Sequence, residues 1–359
     1  MKRLNSIDTF RGISILWMFL GHLLNWWLVD QDLWFYELTF NLFDPIGSSA
    51  FIFIAGVSTA ISLQIRQVRA KISETYDARV IKREYIFRAL LILIVALLYN
   101  LAIAISLLNP LYLWTWFVLL TIAISLLLAW PLFKLPAIYR VMIGIGIWII
   151  NQILLEILLP YRGIGNTFGI VYHLLYNSLD LDVILSFFPF FVFGSVIGEQ
   201  IFKIYLIGDD KTMKRTLNRR FLYPSLIIGS ILIILGVVIR FPEFFVKNRS
   251  FSWMIYTLGI NISLLALFMI FEEFIHLKKE KKKSILFYFS YYSLTIYLAH
   301  NLLFFPFNGQ VSICYIWILI IGIYVSIGYL LKLFYNKLGY KISLKYQIGR
   351  IAKALARPR

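Results

Sequence analysis

The sequence has little charge, a single cysteine and few histidines. Charged residues make up 15% of its 359 positions, against about 25% in soluble domains, and hydrophobic residues make up 60%. A soluble fold cannot hide so much apolar surface, so a soluble enzyme, a disordered protein and a nucleic-acid-binding domain are excluded. The lone cysteine, Cys314, excludes a disulfide framework and a thiolate metal cluster. What is left is a polytopic membrane protein.

Ten apolar segments are long enough to cross a bilayer, for which about 20 residues are needed. Because membrane spans made of single apolar segments are helices, the sequence predicts an all-α fold of about ten transmembrane helices. The predicted spans cover residues 8–29, 46–65, 88–108, 111–130, 140–159, 183–203, 222–240, 251–272, 285–305 and 311–333.

The net charge of +17 predicts the orientation of these helices. With the N-terminus in the cytoplasm, every Lys and Arg falls on the inner side except Arg162, Arg240, Lys247 and Arg249. A missed helix would invert the later loops and mix the two groups. We therefore predict a multi-pass protein of the plasma membrane with both termini cytoplasmic.

The last residues form a basic tail, and we divide the chain into a transmembrane domain at 1–335 and this tail at 336–359. Leu344, Ile348, Ile351 and Leu355 recur at helical spacing among basic residues. This pattern predicts a cytoplasmic amphipathic helix on an anionic inner leaflet, and a disordered basic tail is the alternative.

Polar residues within the first span share one helical face, which carries Asp8, Arg11, Met18, His22 and Asn25. Arg11 and His22 lie about 16 Å apart along the axis at nearly the same azimuth. A cation at one end and a titratable base at the other suit a long ligand with an anionic head. Alternatively, Arg11 is an ordinary inner anchor paired with Asp8, and His22 is a packing residue.

The ninth span repeats this pattern with Ser293, Tyr297 and His300 at i, i+4 and i+7. Asp44 precedes the second span within reach of the outer end of the first. It could orient a histidine, or it could cap the second helix. A third interpretation is a zinc site made by His22, His173 and His300.

Four segments, in order, resemble signatures of one superfamily of membrane enzymes. They are RLNSIDTFRGISILWMFLGH at 3–22, FIFIAGVS at 51–58, FPFFVFGSVIG at 188–198 and YSLTIYLAHN at 292–301. They resemble the transmembrane acyltransferases, and most of all the catalytic domain of the heparan-α-glucosaminide N-acetyltransferase family and its prokaryotic relatives. The spacing of Arg11 and His22 is also similar to that of the acyltransferase-3 family.

The resemblance implies that acetyl-CoA binds from the cytoplasm and that its acyl group reaches an extracytoplasmic acceptor. It implies a catalytic histidine at His22 and an entrance arginine at Arg11. In the eukaryotic lysosomal members the histidine lies in the connection between the first two helices. That connection has no histidine here, so the resemblance assigns the catalytic role to His22. The large luminal domain of those members has no counterpart in this sequence.

We therefore predict an acyl-CoA-dependent acetyltransferase that acts on a hydroxyl or amine of an extracytoplasmic sugar or glycan, such as a terminal glucosamine. His22 is the predicted general base, supported by Asp44, Tyr297 and His300. The donor is predicted to bind at Asp8, Arg11, Arg83, Arg88 and Ser293, with no metal.

The alternative is a secondary transporter or a lipid-linked sugar flippase without acyl-transfer chemistry. We see no inverted sequence repeat that would favour it. The pattern leaves open whether the acyl group moves directly or through an acyl-histidine, and whether the chain forms a homodimer.

Overall fold

A computed structural model describes residues 3–72, 77–177, 181–239, 250–275 and 283–356. Within these ranges the regular structure is helical, and nine helices are long and apolar enough to cross a membrane. This confirms the predicted all-α polytopic fold. Arg240, Lys247, Arg249 and the basic run at 278–282 lie outside the described residues.

Short 3₁₀ turns connect several of the helices, which we number in chain order. They are α1 (Asn5–Trp27), α2 (Leu33–Phe43), α3 (Ser48–Ile72), α4 (Ala78–Ser106), α5 (Val118–Leu132), α6 (Ala137–Leu158), α7 (Thr167–Leu175), α8 (Ile184–Tyr205), α9 (Asp210–Leu217), α10 (Tyr223–Ile239), α11 (Phe251–Glu273), α12 (Ile285–Tyr291), α13 (Ser293–Ala299), α14 (Ile313–Leu338) and α15 (Leu344–Ala356).

Helices α3 and α8 cross closely at the centre of the bundle, and each carries one of the family-like segments. A Cβ atom at Gly56 would overlap the carbonyl oxygen of Phe191, and one at Gly194 would overlap that of Phe53. Small residues let two backbones meet in this way, as the Ala-Gly-Val-Ser-Thr-Ala run of α3 predicts. The crossing fixes the position of α3, which lines both of the cavities described below.

The predicted ninth span is not one continuous helix. The chain forms α12, breaks at Tyr292, and continues as α13 and a 3₁₀ turn over His300–Phe304. Tyr292 is buried, and its hydroxyl donates to the carbonyl of Gly339 at 2.6 Å. This long-range hydrogen bond holds the break in place.

The end of α1 is fastened to the segment that follows α13. The Val311 N–H donates to the carbonyl of Trp27 at 2.8 Å, and the Trp27 Nε1 donates to the carbonyl of Leu303 at 2.7 Å. These bonds satisfy backbone groups at the end of the helix. They also set the position of α1 relative to His300.

The tail helix α15 packs against α4. Ile348, Ala352 and Ala356 are buried in this contact, whereas Leu344, Ile351 and Leu355 are exposed. The predicted apolar face is therefore divided, because Ile348 turns toward the protein and the other three leucine and isoleucine side chains turn outward. Binding of that outward face to a membrane surface stays a prediction.

Candidate active site

One end of the bundle holds a cavity lined by basic side chains, which we call the basic cavity. It spans about 1080 Å³, part of which is open to solvent. Apolar side chains of α4 and α5 form much of its wall. Its cations come from four helices and are Arg11, Arg66, Arg88 and Lys345.

These cations are largely without acidic partners. Arg66 pairs with Glu84 at 2.9 Å. Arg11 donates to the hydroxyl of Ser58 at 2.5 Å, and Ser58 in turn donates to the carbonyl of Ile54. In the part of the chain that the structure describes, no carboxylate lies within 4 Å of a nitrogen of Arg11, Arg88 or Lys345. A cavity with such an excess of positive charge suits an anionic ligand.

Asp8 lies next to this cavity but not in its wall. Its carboxylate pairs with Arg3 at 2.6 Å and accepts a hydrogen bond from the Ser290 hydroxyl at 2.9 Å. Asp8 therefore acts on Arg11 electrostatically and not through a direct ion pair, since Arg3 pairs with that carboxylate. Asp8 links α1 to α12 and so helps to position Arg11.

Arg83 is a second predicted donor residue, after Asp8, that does not line the basic cavity. Its side chain is exposed, whereas Arg88 lines the basic cavity. Five residues of an α-helix correspond to a rotation of about 140°, so the two arginines of α4 point in different directions. Of the predicted cluster of Arg11, Arg83 and Arg88, only Arg11 and Arg88 line the cavity. Ser293, in contrast, does line the cavity beside Arg11.

Toward the other end of α1 lies a second cavity, which we call the histidine cavity. It spans about 910 Å³, part of which is open to solvent, and its polar lining includes His22, Asp44, Asp182 and Tyr36. Helix α2 forms one side through Tyr36 and Phe40. Burial raises the pKa of the Tyr36 hydroxyl, and the nearby Asp44 raises it further. Tyr36 is therefore a protonated hydrogen-bond donor at neutral pH.

His22 belongs to a stack of rings at the edge of the histidine cavity. The ring centroids of His22 and His300 are 4.9 Å apart. The indole of Trp26 stacks on both, with centroids 4.8 Å from His22 and 5.8 Å from His300. The stack joins α1 to the turn after α13 and leaves His22 in the cavity wall.

His300 is held from behind by backbone. It is 4% exposed, and its Nδ1 contacts the carbonyl oxygen of Tyr297. Because a carbonyl only accepts, Nδ1 carries the proton, and the Nε2 lone pair is available. The neighbouring Asn301 donates to the hydroxyl of Tyr99 at 2.8 Å. The predicted partnership of His22, Tyr297 and His300 is therefore possible in geometry, with His22 in the cavity and His300 behind it.

The two cavities meet end to end. Phe51 of α3, Val118 of α5 and Tyr297 of α13 line both of them. Since these three side chains form a shared wall, a ligand on one side lies next to a ligand on the other. We call them the dividing wall.

Two further residues enter the site without having been predicted as parts of it. Arg66 lines the basic cavity, and Asp182 lines the histidine cavity. Ser58, Ser62 and Arg66 recur every four residues along α3 and all face the basic cavity. That helical spacing is a signal from which Arg66 could have been found.

The zinc interpretation gains no support from the geometry. Among the described residues, no group of three or more His, Cys, Asp or Glu side chains could hold a metal ion. His173 lies on α7 and does not line the histidine cavity.

Fold and site together define a polytopic membrane protein that holds two cavities end to end in one helix bundle, each with charged side chains in a largely apolar wall. A sequence model of the heparan-alpha-glucosaminide N-acetyltransferase catalytic domain matches residues 3–235, well over half of the chain. The chain therefore belongs to this family and is a membrane acetyltransferase, which confirms the predicted family. A comparison with curated proteins found no match.

The matched residues include most of both cavities. They cover Arg11, His22, Asp44 and Arg88. The match ends before α12, so the resemblance of the segment at 292–301 stays a prediction, and so do the roles of Ser293, Tyr297 and His300.

Proposed function

We propose that the chain transfers an acetyl group from cytoplasmic acetyl-CoA to a hydroxyl or amine of an extracytoplasmic sugar, such as a terminal glucosamine. The observation that carries this proposal is the junction of the two cavities at Phe51, Val118 and Tyr297. The basic cavity opens to the cytoplasm and holds the donor. The histidine cavity opens to the outside of the plasma membrane and holds the acceptor.

The lining of the basic cavity supports a CoA thioester as donor. Arg11 and Arg88 carry positive charge with no carboxylate in ion-pairing range among the described residues, and the guanidinium fork matches phosphate oxygens. Ile92, Ile122 and Leu126 form an apolar wall against which a pantetheine arm can pack. The arm then carries the thioester toward the dividing wall.

In the histidine cavity, on the other side of the dividing wall, the reaction proceeds by general-base catalysis. The acceptor oxygen or nitrogen attacks the thioester carbonyl, a C–O or C–N bond forms, and the C–S bond breaks. His22 takes the acceptor proton and returns it to the departing CoA thiolate, so the imidazole ends neutral. His300 positions His22 through the Trp26 stack, and Tyr297 donates to the developing oxyanion.

The acceptor is bound by the rest of the histidine cavity. The carboxylates of Asp44 and Asp182 suit the hydroxyl and amine donors of a sugar, and the Tyr36 hydroxyl is a further donor. Phe40 and Trp17 offer apolar rings to the less polar side of a pyranose.

An acylation assay in proteoliposomes tests the proposal. Radiolabelled acetyl-CoA is supplied outside, and a panel of amino sugars and neutral sugars is enclosed inside. Molecules whose cytoplasmic side faces outward should then produce labelled sugar in the vesicle interior. The same vesicles without protein are the control. The proposal would be refuted if none of the sugars in the panel acquired label from acetyl-CoA.

One observation favours the alternative of a transporter. The break between α12 and α13 lies directly before Ser293 and Leu294, which line the basic cavity, and discontinuous helices are common at the substrate sites of transporters. The same proteoliposomes decide between the two, because a transporter moves unmodified sugar across the bilayer without any acyl donor.

A further inference from the structure

The C-terminal helix α15 contributes a cation to the basic cavity. Lys345, in its first turn, lines that cavity together with Arg11, Arg66 and Arg88. Its Nζ donates to the carbonyl of Ser290 at 3.2 Å, at the break between α12 and α13. A lysine of the tail that the sequence predicts to lie on an inner leaflet as an amphipathic helix therefore reaches into the protein.

The turn before α15 is fixed so that Lys345 points this way. Helix α14 ends at Leu338 and is followed by Gly339, whose φ of +53° is one that glycine adopts readily. The hydroxyl of Thr295 donates to the carbonyl of Ile342 at 3.1 Å and accepts from the N–H of Leu344 at 3.2 Å. Ser343 is buried, and its hydroxyl donates to the carbonyl of Tyr291. Helix α15 is thus a built wall of the cavity.

Like charges surround Lys345. Arg11, Arg88 and Arg3 act on it electrostatically, and Asp8 is the acidic group among its electrostatic neighbours. Asp8 is already paired with Arg3. Placing a fourth cation there costs free energy in the unliganded protein, and a bound polyanion would reverse the sign of that contribution.

We propose that α15 completes the donor site and that Lys345 contacts the phosphates of the bound donor. The proposal rests on the proposed function, since it takes the ligand of the basic cavity to be the phosphate-bearing end of CoA. Arg11 and Arg88 then hold the phosphates from the side of α1 and α4. Lys345 contacts the same phosphates from the side of α15, through a compact ammonium charge on a flexible stem.

Binding of CoA and of inorganic pyrophosphate to the full-length protein tests this. The protein is placed in phosphatidylcholine nanodiscs, so that no anionic headgroup competes for the site. Lys345→Met removes the charge and keeps the stem, and Lys345→Arg restores the charge. Lys353→Met, on an exposed position of the same helix, is the matched control.

We expect Lys345→Met to weaken both probes about tenfold or more, and Lys345→Arg and Lys353→Met to stay within about threefold of the wild type. The melting temperature of unliganded Lys345→Met should equal or exceed that of the wild type, because a repulsive neighbour is gone. A structural role for Lys345 would instead lower it.

Equal affinity of Lys345→Met and the wild type for both probes overturns this inference and leaves the proposed function intact. A wild-type protein that binds pyrophosphate but not CoA, with weaker binding in Lys345→Met, supports the anion site and refutes CoA as donor. A loss of thermal stability in Lys345→Met, relative to Lys353→Met, also overturns the inference.

Discussion

The two cavities are similar in size and share a wall, yet their linings are opposite. The basic cavity has four cations, whereas the histidine cavity has two carboxylates and an imidazole. Helix α1 reaches both, with Arg11 in one and His22 in the other. Under the proposed function, this difference divides ligand capture and proton transfer between the two ends of one bundle.

The largest effect should come from His22→Ala. Loss of the general base should lower the acetylation rate by about 10² to 10⁴-fold and leave CoA affinity unchanged. Acylation assays and CoA titrations measure the two quantities separately. His173→Ala, on α7 outside the histidine cavity, is the control. Full activity of His22→Ala would show that the chemistry lies elsewhere.

Val118→Phe tests the dividing wall itself. A larger side chain between thioester and acceptor should lower transfer by about 10²-fold, because misplacement of reacting groups by about 1 Å has an effect of this size. CoA binding should persist, since the cations are untouched. Val238→Phe, which adds the same volume at an exposed site on α10, should have no effect. Loss of CoA binding in Val118→Phe would mean that the wall belongs to the donor site alone.

Arg88→Met should raise the KM for acetyl-CoA by about 30-fold, the ratio expected for one charge-assisted contact to phosphate. The turnover number should change much less, because the arginine does not touch the reacting atoms. Arg83→Met is the matched control, since it removes the same charge from the exposed face of the same helix. Equal KM values for the two variants would contradict the assignment of the basic cavity.

The smallest effect should come from Asp44→Asn, which keeps the shape of the side chain and removes its charge. We expect the KM for the acceptor to rise about tenfold, with the KM for acetyl-CoA unchanged. Asp30→Asn, at an exposed position before α2, should behave as wild type. A change confined to the donor KM would reverse the proposed assignment of the two cavities.

Sequence reasoning predicts the helices and the placement of Arg11 and His22 toward opposite ends of α1, because apolar length and helical spacing are local properties. It places ten spans where the described residues form nine long helices and a broken segment. That break depends on Tyr292 bonding to Gly339, 47 residues away. Hydropathy contains no information about such a pair.

The site is predictable in the same uneven way. His22 and Arg11 violate the apolar pattern and so are conspicuous. Lys345 lies among other basic residues, and nothing in its neighbourhood distinguishes it from a cation on a membrane surface. The packing of α15 on α4 brings it to Arg11. Arg83 is wrongly grouped with Arg88 because closeness in sequence does not mean a shared helix face.

The dividing wall has an electrical consequence. In the proposed reaction the charged nucleotide of the donor stays on one side of Phe51, Val118 and Tyr297, while the acetyl group passes outward in exchange for the acceptor proton. Moving one elementary charge through a membrane potential of 100 mV costs about 2.3 kcal/mol, and CoA carries several. Because no net charge crosses, the extent of transfer should be independent of membrane voltage, and an energised and a de-energised cell should modify their surface sugars to the same degree.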